Sequence, residues 1–440
     1  MAHKVSSSLL PAGGRGGAGL GRAVPVLSEE ALSRVQRCMT FLDSAVEPFS
    51  CIDTVIQTLM KQDFHELDES KPWSKPDVIK KGGKYFFTRN RSSIVAFTVG
   101  EKYQSGNRFK IIGAHSDSPN LRVKPKSKRS GSGLTQLSVE TYGGGLWHTW
   151  FDRDLSLAGR VLLRQPSSTS SSSRFEHRLI KIDRPVLHIP SLCIHLRTPE
   201  EREAFKVNKE DHLVPILCEE IKSSLTPSTD SSNSSVPDAW MEGQSTELVE
   251  LLAQELNCSS RDIVDFELSL FDTQKASLGG VRGEFLCSSR LDNLASCFVA
   301  MEALSDHASQ GSLADDADVS VVALFDHEEV GSDSFNGAGS TLMLDTVVRV
   351  NEALSVSSES PSVSSEAYRC AVARSFVLSV DNVNMCFSSF QSPHCQKSPF
   401  SRLMPCTLTM PRNMRVAMLL SSTAGWLSRP TQIRGTPRAA

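Results

Sequence analysis

The chain has 440 residues, of which 39% are hydrophobic and 22% are charged, and its formal net charge is −3. This length fits two domains that bury a sizeable core. Because the charge balance creates no basic field, the composition argues against nucleic acid and against an anionic membrane as partners. No stretch of the sequence is long and apolar enough to span a bilayer.

The 11 cysteines are scattered and form no CxxC pair. This spacing argues against a thiolate zinc knuckle and a disulfide framework, and it favours reduced thiols in a cytoplasmic protein. Residues 1–25 are predicted to be a flexible tail. They contain no uninterrupted apolar segment of the kind found in secretory signals, and organelle targeting is left as an alternative.

Residues 26–124 are predicted to form the first part of a main domain. Apolar residues recur at helical spacing after Ser28 until Pro48 interrupts them, and a second helical run follows. The next elements are predicted strands, at 85–88, 93–99 and 109–114. The last of these strands is buried and delivers His115 at its end.

Residues 125–272 are predicted to form an inserted, β-rich second domain. Its predicted elements are strands at 135–140, 155–163, 179–182 and 266–271 and a helix at 247–256. Serine-rich stretches at 167–173 and 223–235 are predicted loops, because they cannot bury enough apolar surface to order themselves.

The main domain resumes at residues 273–382. An apolar helix at 290–304 is followed by buried strands at 319–325 and 375–380, with a serine-rich loop at 355–365 between these strands. Strands that alternate with helices predict an α/β sandwich with a largely parallel core.

Five polar residues lie at or near the ends of these apolar elements: His115, Asp292, Glu328, Glu329 and Asp381. Ligands bind outside the carboxyl ends of strands in open α/β sheets. One histidine with several carboxylates suits divalent metals, zinc included. A bridging carboxylate suits two metals ~3.5–4 Å apart. Of two adjacent glutamates beyond a strand end, one can bind metal while the other takes a proton from water.

Each of these residues also has a structural interpretation. A histidine after a strand is commonly structural, although Asp117 could orient the ring of a ligating His115. Asp292 could cap its helix. The Glu328-Glu329 pair could be a solvated surface. Position and spacing alone leave the metal site and these alternatives open.

Several local sequences resemble the motifs of the aspartyl aminopeptidase family, in the right order. They are Ile111-Ile112-Gly113-Ala114-His115-Ser116-Asp117-Ser118-Pro119, Glu140-Thr141-Tyr142-Gly143-Gly144-Gly145-Leu146-Trp147, Trp150-Phe151-Asp152-Arg153-Asp154-Leu155, Arg290-Leu291-Asp292-Asn293-Leu294 and Asp326-His327-Glu328-Glu329-Val330-Gly331-Ser332. The resemblance runs from about residue 28 to Asp381. It implies a metallopeptidase α/β sandwich, with 26–124 and 273–382 as the catalytic domain and 125–272 as an inserted dimerisation domain.

The resemblance also implies two zinc ions per subunit. His115 and Glu329 are then ligands of separate ions, and Asp292 bridges them. Asp381 is implied as a terminal ligand on the same ion as His115.

Three further roles follow from the resemblance. Glu328 is implied as the general base, and Asp117 as the partner that orients His115. His195 matches a histidine that the family's inserted domain presents to the substrate in a neighbouring subunit. Family members form homo-oligomers, which are dodecamers, and remove N-terminal Asp or Glu from peptides.

Residues 383–440 do not match these motifs, so the last third of the catalytic domain is expected to be missing from the chain. Codon degeneracy allows 383–401 to be a translated intron and 402–440 an exon translated in the wrong frame. Two other functions stay open: a two-metal aminopeptidase or deacylase of other specificity, and a catalytically dead subunit that acts only in assembly. Sequencing the spliced transcript across Asp381 tests the intron hypothesis.

Overall fold

The computed structural model describes residues 29–75, 77–165, 174–220, 239–281, 283, 285–309, 311–355, 365–381 and 403–405. Several sequence predictions lie outside these ranges. They are the tail 1–25, the serine-rich loops 167–173 and 223–235, nearly all of the loop 355–365, and all but three residues of the tail 383–440.

The helices and strands, in chain order, have the following bounds. The helices are α1 (Glu29–Ser44), α2 (Pro48–Met60), α3 (Pro199–Glu203), α4 (Ala239–Glu242), α5 (Thr246–Leu256), α6 (Leu291–Ser309), α7 (Leu342–Ser355) and α8 (Ser365–Arg374). The strands are β1 (His65–Glu66), β2 (Lys84–Arg89), β3 (Ser93–Val99), β4 (Phe109–His115), β5 (Asn120–Gly131), β6 (Leu134–Tyr142), β7 (Leu155–Gln165), β8 (Arg174–Lys181), β9 (Ile216–Glu219), β10 (Ile263–Asp272), β11 (Ser277–Gly279), β12 (Phe285–Cys287), β13 (Val319–Phe325), β14 (Phe376–Ser379) and β15 (Leu403–Pro405).

The first two helices meet at Pro48, as the sequence predicts. Pro48 lies in the first turn of α2, where its missing N–H leaves no hydrogen bond unmade. The Glu47 carboxylate caps this helix, because it accepts hydrogen bonds from the backbone N–H groups of Phe49 at 2.7 Å and Ser50 at 2.6 Å. The interruption of the apolar pattern at Pro48 therefore corresponds to a turn between two helices.

The main domain is built on a six-stranded sheet in the order β1-β2-β3-β13-β4-β14. β13 is parallel to β4, and β4 is parallel to β14. β3 is antiparallel to both of its neighbours, so the sheet is mixed where the sequence predicts a largely parallel one. The cause is the short connection from Arg89 to Ser93, since only antiparallel strands can be joined by so tight a turn.

Helices cover both faces of this sheet, which makes the main domain an α/β sandwich. On one face, α1, α2 and α6 pack against Phe86 and Ala96. On the other face, α7 and α8 share a core with Phe87 and Phe97. Strand side chains alternate between faces, so adjacent residues such as Phe86 and Phe87 enter different layers.

The inserted unit has its own six-stranded sheet, in the order β8-β7-β10-β5-β6-β9. Every neighbouring pair in this sheet is antiparallel. The predicted helix at 247–256 is present as α5, and its Leu248 and Leu252 pack into the core of this unit. A separate sheet of three strands, β11-β12-β15, includes the backbone of Leu403–Pro405.

The described ranges also contain the helices and cysteines on which the membrane and thiol predictions depend. No helix within them is long and apolar enough to cross a membrane. The cysteines they contain form no disulfide with one another: Cys38, Cys51, Cys193, Cys218, Cys258, Cys287, Cys297 and Cys370.

A cluster of charges fastens the chain just before β13. Lys110 Nζ lies 3.1 Å from Asp316 Oδ1 and 3.0 Å from Asp318 Oδ2. His307 Nε2 lies 3.0 Å from Asp316 Oδ2. Burial alone would raise the pKa of Asp316, but His307 and Lys110 outweigh it and lower that pKa from 3.8 to about 2. The ionised form of Asp316 therefore stabilises the fold.

Replacing Asp316 by asparagine is expected to lower the free energy of unfolding at pH 7 by about 2 kcal/mol. Because the folded-state pKa of Asp316 lies below its unfolded-state value, this contribution is present above about pH 4 and is lost as the pH falls towards about 2. Urea unfolding of both proteins between pH 7 and pH 3 measures it. The exposed neighbour Asp315 provides the control substitution Asp315→Asn. An equal difference at every pH contradicts the prediction.

Candidate metal centre

The candidate residues come together at one edge of the central sheet. β4 and β13 are parallel, and His115 pairs opposite Phe325, so His115 and the residues after Phe325 emerge side by side. β14 lies on the other side of β4 and leads to Asp381. Asp292 reaches the same edge from the start of α6, next to Asn293.

The first residues of α6 are not helical, although the sequence predicts a helix from residue 290. Asp292 has φ −83° and ψ 109°, and a cis peptide bond joins it to Asn293. The Ser118 hydroxyl donates to the backbone oxygen of Asp292 at 2.7 Å. Asn293 Nδ2 donates to the backbone oxygen of Val380 at 2.8 Å, next to Asp381. These contacts direct Asp292 and Asp381 to the same point.

The His115 ring is buried, and its two nitrogens have different neighbours. Nδ1 lies 3.0 Å from the backbone oxygen of Asp117. A carbonyl oxygen only accepts, so Nδ1 carries a proton, and Nε2 is the nitrogen that would offer a lone pair to a metal. Nε2 lies 3.3 Å from Asp292 Oδ1, 3.5 Å from Asp381 Oδ1 and 3.8 Å from Glu328 Oε2. Nε2 therefore faces three carboxylates, which favour a proton or a metal cation at this nitrogen.

This donor set fits a divalent metal. His115, Asp292 and Asp381 offer ligand atoms that all lie within 4.8 Å of one another. Oδ1 of Asp292 is buried and makes no well-aligned hydrogen bond among the described residues. A buried carboxylate oxygen without a donor is costly unless a cation neutralises it. An imidazole nitrogen with carboxylate oxygens is also a ligand set that zinc accepts.

The glutamate pair lies in a single turn beyond β13. A short 3₁₀ helix spans Glu328–Val330, between His327 and Gly331, which both have left-handed backbone angles with φ of 65° and 103°. The strand has thus ended before the pair, as the sequence predicts, and both glutamates can face the same edge of the sheet.

Asp117 organises this turn. Its carboxylate is fully buried and accepts the backbone N–H groups of Glu328 at 3.2 Å and Glu329 at 3.0 Å. The Tyr142 hydroxyl donates to Oδ2 of the same carboxylate at 2.7 Å. The distance from Asp117 Oδ1 to His115 Nδ1 is longer, at 3.4 Å. Asp117 therefore orients His115 mainly through its backbone oxygen, and the glutamate turn through its side chain.

Carboxylate charge accumulates at this edge. Burial opposes protonation of His115, but Asp117 and Asp292 outweigh it and raise its pKa to about 11. Burial raises the pKa of Glu329 to about 7, and repulsion from Asp292 and Asp117 adds to the effect. Burial also raises the pKa of Glu328. Either a proton or a metal cation can compensate this excess charge.

Comparison with known proteins agrees with this geometry. The family profile described as Aminopeptidase I zinc metalloprotease (M18) matches residues 41–418. The aspartyl aminopeptidase of Aspergillus oryzae is 40% identical over 358 residues, which are 78% of this chain and 70% of that protein. The chain belongs to the M18 family. The matched range includes every candidate site residue and continues past Asn382.

Solved M18 structures share the fold. Chaetomium thermophilum mApe1 is 32% identical, has a TM-score of 0.71, and is matched over 82% of this chain and 78% of its own. The S. cerevisiae mApe1 dodecamer is 28% identical, has a TM-score of 0.65, and is matched over 80% of this chain and 71% of its own. The predicted α/β metallopeptidase fold with an inserted β-rich unit is therefore confirmed, and the aminopeptidase is favoured over the two alternative functions.

His195 is not one of the residues that contact His115, Asp292 and Asp381 among the described residues of this chain. It lies in a short exposed helix, Ile194–Leu196, in the inserted unit. Among the described residues, none of the hydrogen bonds or ion pairs that hold the cluster involves His195. Its role in a neighbouring subunit stays a prediction.

Three further residues near this cluster, Ser118, Asn293 and Cys297, are not singled out individually by the sequence. Ser118 and Asn293 bind the backbone oxygens of Asp292 and Val380, and the Cys297 thiol donates to the backbone oxygen of His115 at 3.0 Å. Tyr142 binds Asp117 from the inserted unit. Only Tyr142 had a local signal, since the glycines that follow it at the end of β6 favour a close approach of backbone.

Proposed function

We propose that this chain is a two-zinc aminopeptidase that removes N-terminal Asp or Glu from peptides. The observation that carries the proposal is His115 Nε2 facing three carboxylates, next to a turn that presents two adjacent glutamates. The preference for N-terminal Asp is supported by the name of the Aspergillus oryzae relative, an aspartyl aminopeptidase, and N-terminal Glu is implied by the family resemblance of the sequence.

The chain offers ligands for two ions. His115 and Asp381 would hold one ion, Glu329 the other, and Asp292 would bridge them. A metal in such a site supplies Lewis acidity, which lowers the pKa of water and polarises a peptide carbonyl. Gly144 donates a backbone N–H to the Glu329 carboxylate and so keeps it turned towards the cluster.

Glu328 is the proton carrier in this proposal. Its side chain is 46% exposed and its Oε2 lies 3.8 Å from His115 Nε2, so it reaches the cluster and the solvent together. Burial and the charge of Asp381 raise its pKa, although His115 opposes the shift. A carboxylate with a raised pKa can take a proton from water and return it to the leaving amine.

We also propose that the chain assembles into a homo-oligomer, a dodecamer like that of S. cerevisiae mApe1. Leu192, Ile194 and Leu196 expose apolar side chains on both sides of His195, and an interface would bury them. His195 would then reach the substrate in a neighbouring subunit. Light scattering of the purified chain measures the assembly, and a monomer at micromolar concentration contradicts it.

The substrate class is tested with the purified full chain loaded with Zn²⁺. Peptides that begin with Asp, Glu, Leu or Lys but are otherwise identical serve as substrates. The kcat/KM for N-terminal Asp or Glu is expected to exceed that for Leu or Lys by at least about tenfold, which corresponds to 1.36 kcal/mol in the barrier. A chelator should abolish turnover, and added Zn²⁺ should restore it.

Each other outcome identifies an alternative. Faster cleavage of Leu or Lys indicates an aminopeptidase of different specificity. Assembly with two bound ions but no turnover of any peptide indicates a subunit that acts only in assembly. The lack of disulfides among the described cysteines supports our proposal of a cytoplasmic location, which fractionation of cells tests.

A further inference from the structure

We propose that Tyr142, which belongs to the inserted unit, is a positioning residue that fixes the carboxylate of Asp117 and thereby the Glu328–Glu329 turn. The inference rests on the function proposed above, because it gives Tyr142 a role in the same site. It makes the inserted unit a working part of the metal centre within one subunit.

The contact between Tyr142 and Asp117 is short and shielded from water. The hydroxyl donates to Asp117 Oδ2 at 2.7 Å, and both side chains are buried. A hydrogen bond to an ionised, buried carboxylate is stronger than one between neutral groups. The same Oδ2 also accepts the backbone N–H of Glu329. Removing the Tyr142 hydroxyl therefore leaves the Asp117 carboxylate bound to the Glu328–Glu329 turn without the hydrogen bond from Tyr142.

The Tyr142 ring is itself held in place by its own sheet. The guanidinium carbon of Arg122 lies 3.6 Å from the ring centroid, a distance at which the cation attracts the ring face. Arg122 pairs with Glu267 at 3.3 Å, and Glu267 also pairs with Arg160 at 3.0 Å. These partners lie on three neighbouring strands, β5, β10 and β7, so the hydroxyl has a rigid support.

The backbone after Tyr142 holds the other glutamate. Gly143 has φ +76°, and a Cβ at this position would lie 2.9 Å from Glu329 Cβ and 3.1 Å from its Oε2. Gly144 donates its N–H to the Glu329 carboxylate. Tyr142 therefore contacts Asp117, which supports the turn, and the two glycines contact Glu329, which lies in the turn.

The direct test is Tyr142→Phe, which deletes one hydroxyl. Outer partners of metal ligands typically contribute about 10–100-fold to metal affinity or activity. We expect kcat to fall within that range while KM for an N-terminal Asp peptide changes little, because Tyr142 positions the catalytic turn and does not bind the peptide. We also expect weaker Co²⁺ binding in competition with a chelator, and an altered visible spectrum of the Co²⁺-loaded chain.

Tyr103→Phe is the matched control. Tyr103 is a buried tyrosine whose hydroxyl lies 3.5 Å from Asn351, in the core of the main domain. This variant should keep the wild-type Co²⁺ affinity, spectrum and kcat. An unchanged Co²⁺ affinity and spectrum in Tyr142→Phe overturns the proposal.

A double-mutant cycle with Asp117→Asn isolates the contact. In the Asp117→Asn background, Tyr142→Phe should add little further loss of Co²⁺ affinity, and an equal loss in both backgrounds overturns the proposal. If Tyr142→Phe does not fold, Arg122→Gln loosens the ring but keeps the hydroxyl. It should move the same readouts by a smaller amount, and no movement overturns the proposal. Because Co²⁺ binding is measured without substrate, the test stands even if the acidic substrate is wrong.

Discussion

Replacing Asp292 by asparagine is expected to lower kcat/KM by more than about 100-fold, which exceeds the loss typical of residues outside the ligand shell. The amide keeps the shape of the carboxylate but removes its charge. Asp292 Oδ1 lies 3.3 Å from His115 Nε2 and makes no well-aligned hydrogen bond among the described residues, so it is available to a metal cation. If Asp292 bridges two ions, both should bind more weakly in the variant.

Zinc content per chain, measured beside turnover, tests whether the loss of activity accompanies a loss of metal. Asp315→Asn makes the same chemical change on an exposed carboxylate that pairs with Lys102 at the surface. That control should keep its zinc and its activity. A variant with wild-type zinc content and wild-type turnover contradicts the role of Asp292 as a ligand.

The positions of His115 and the glutamate pair could be predicted because each follows a buried apolar strand. The runs 109–114 and 319–325 are mostly apolar, each with one polar residue near its start, Lys110 and Ser320, and both end at polar residues. Two parallel strands in register bring such residues side by side without any further information. The structure has this register, with His115 opposite Phe325.

Strand β5 could not be predicted in the same way. Its sequence from Lys124 to Arg129 is basic and contains Pro125, which is unfavourable in a central strand. The pairing of β5 with β6 shifts register between Val123 and Lys128, so the irregular residues sit in a bulge and the ladder continues after them. Partner strands, and not local preference, make this segment extended.

The contacts that position Asp292 and Asp381 could not be predicted from the sequence either. Asp292 lies at the start of an apolar helix, and its extended backbone is compatible with a cap, so the local sequence does not reveal that its carboxylate lies 3.3 Å from His115. Ser118 binds the Asp292 carbonyl and Asn293 binds the Val380 carbonyl, which are contacts between distant segments. Periodicity describes a segment relative to itself, so it cannot reveal which distant donor a carbonyl will meet.

Glu328→Gln is expected to lower kcat by about 10²–10⁴-fold, the usual contribution of a general base, while the chain keeps its zinc. Glutamine has the same shape but takes no proton from water. The Glu328 side chain is 46% exposed, and its backbone N–H, which binds Asp117, is unchanged by the substitution. The fold and the turn should therefore survive.

Glu329→Gln is the comparison variant for Glu328→Gln. The two glutamates are adjacent in one turn, and both backbone N–H groups bind the same Asp117 carboxylate. Their side chains differ, because Glu329 is more buried and is held by Gly144. If Glu329 is a ligand and Glu328 a base, Glu329→Gln loses zinc in proportion to activity, whereas Glu328→Gln loses activity alone. Equal zinc loss in both variants would mean that Glu328 is also a ligand, and the proton would then need another carrier.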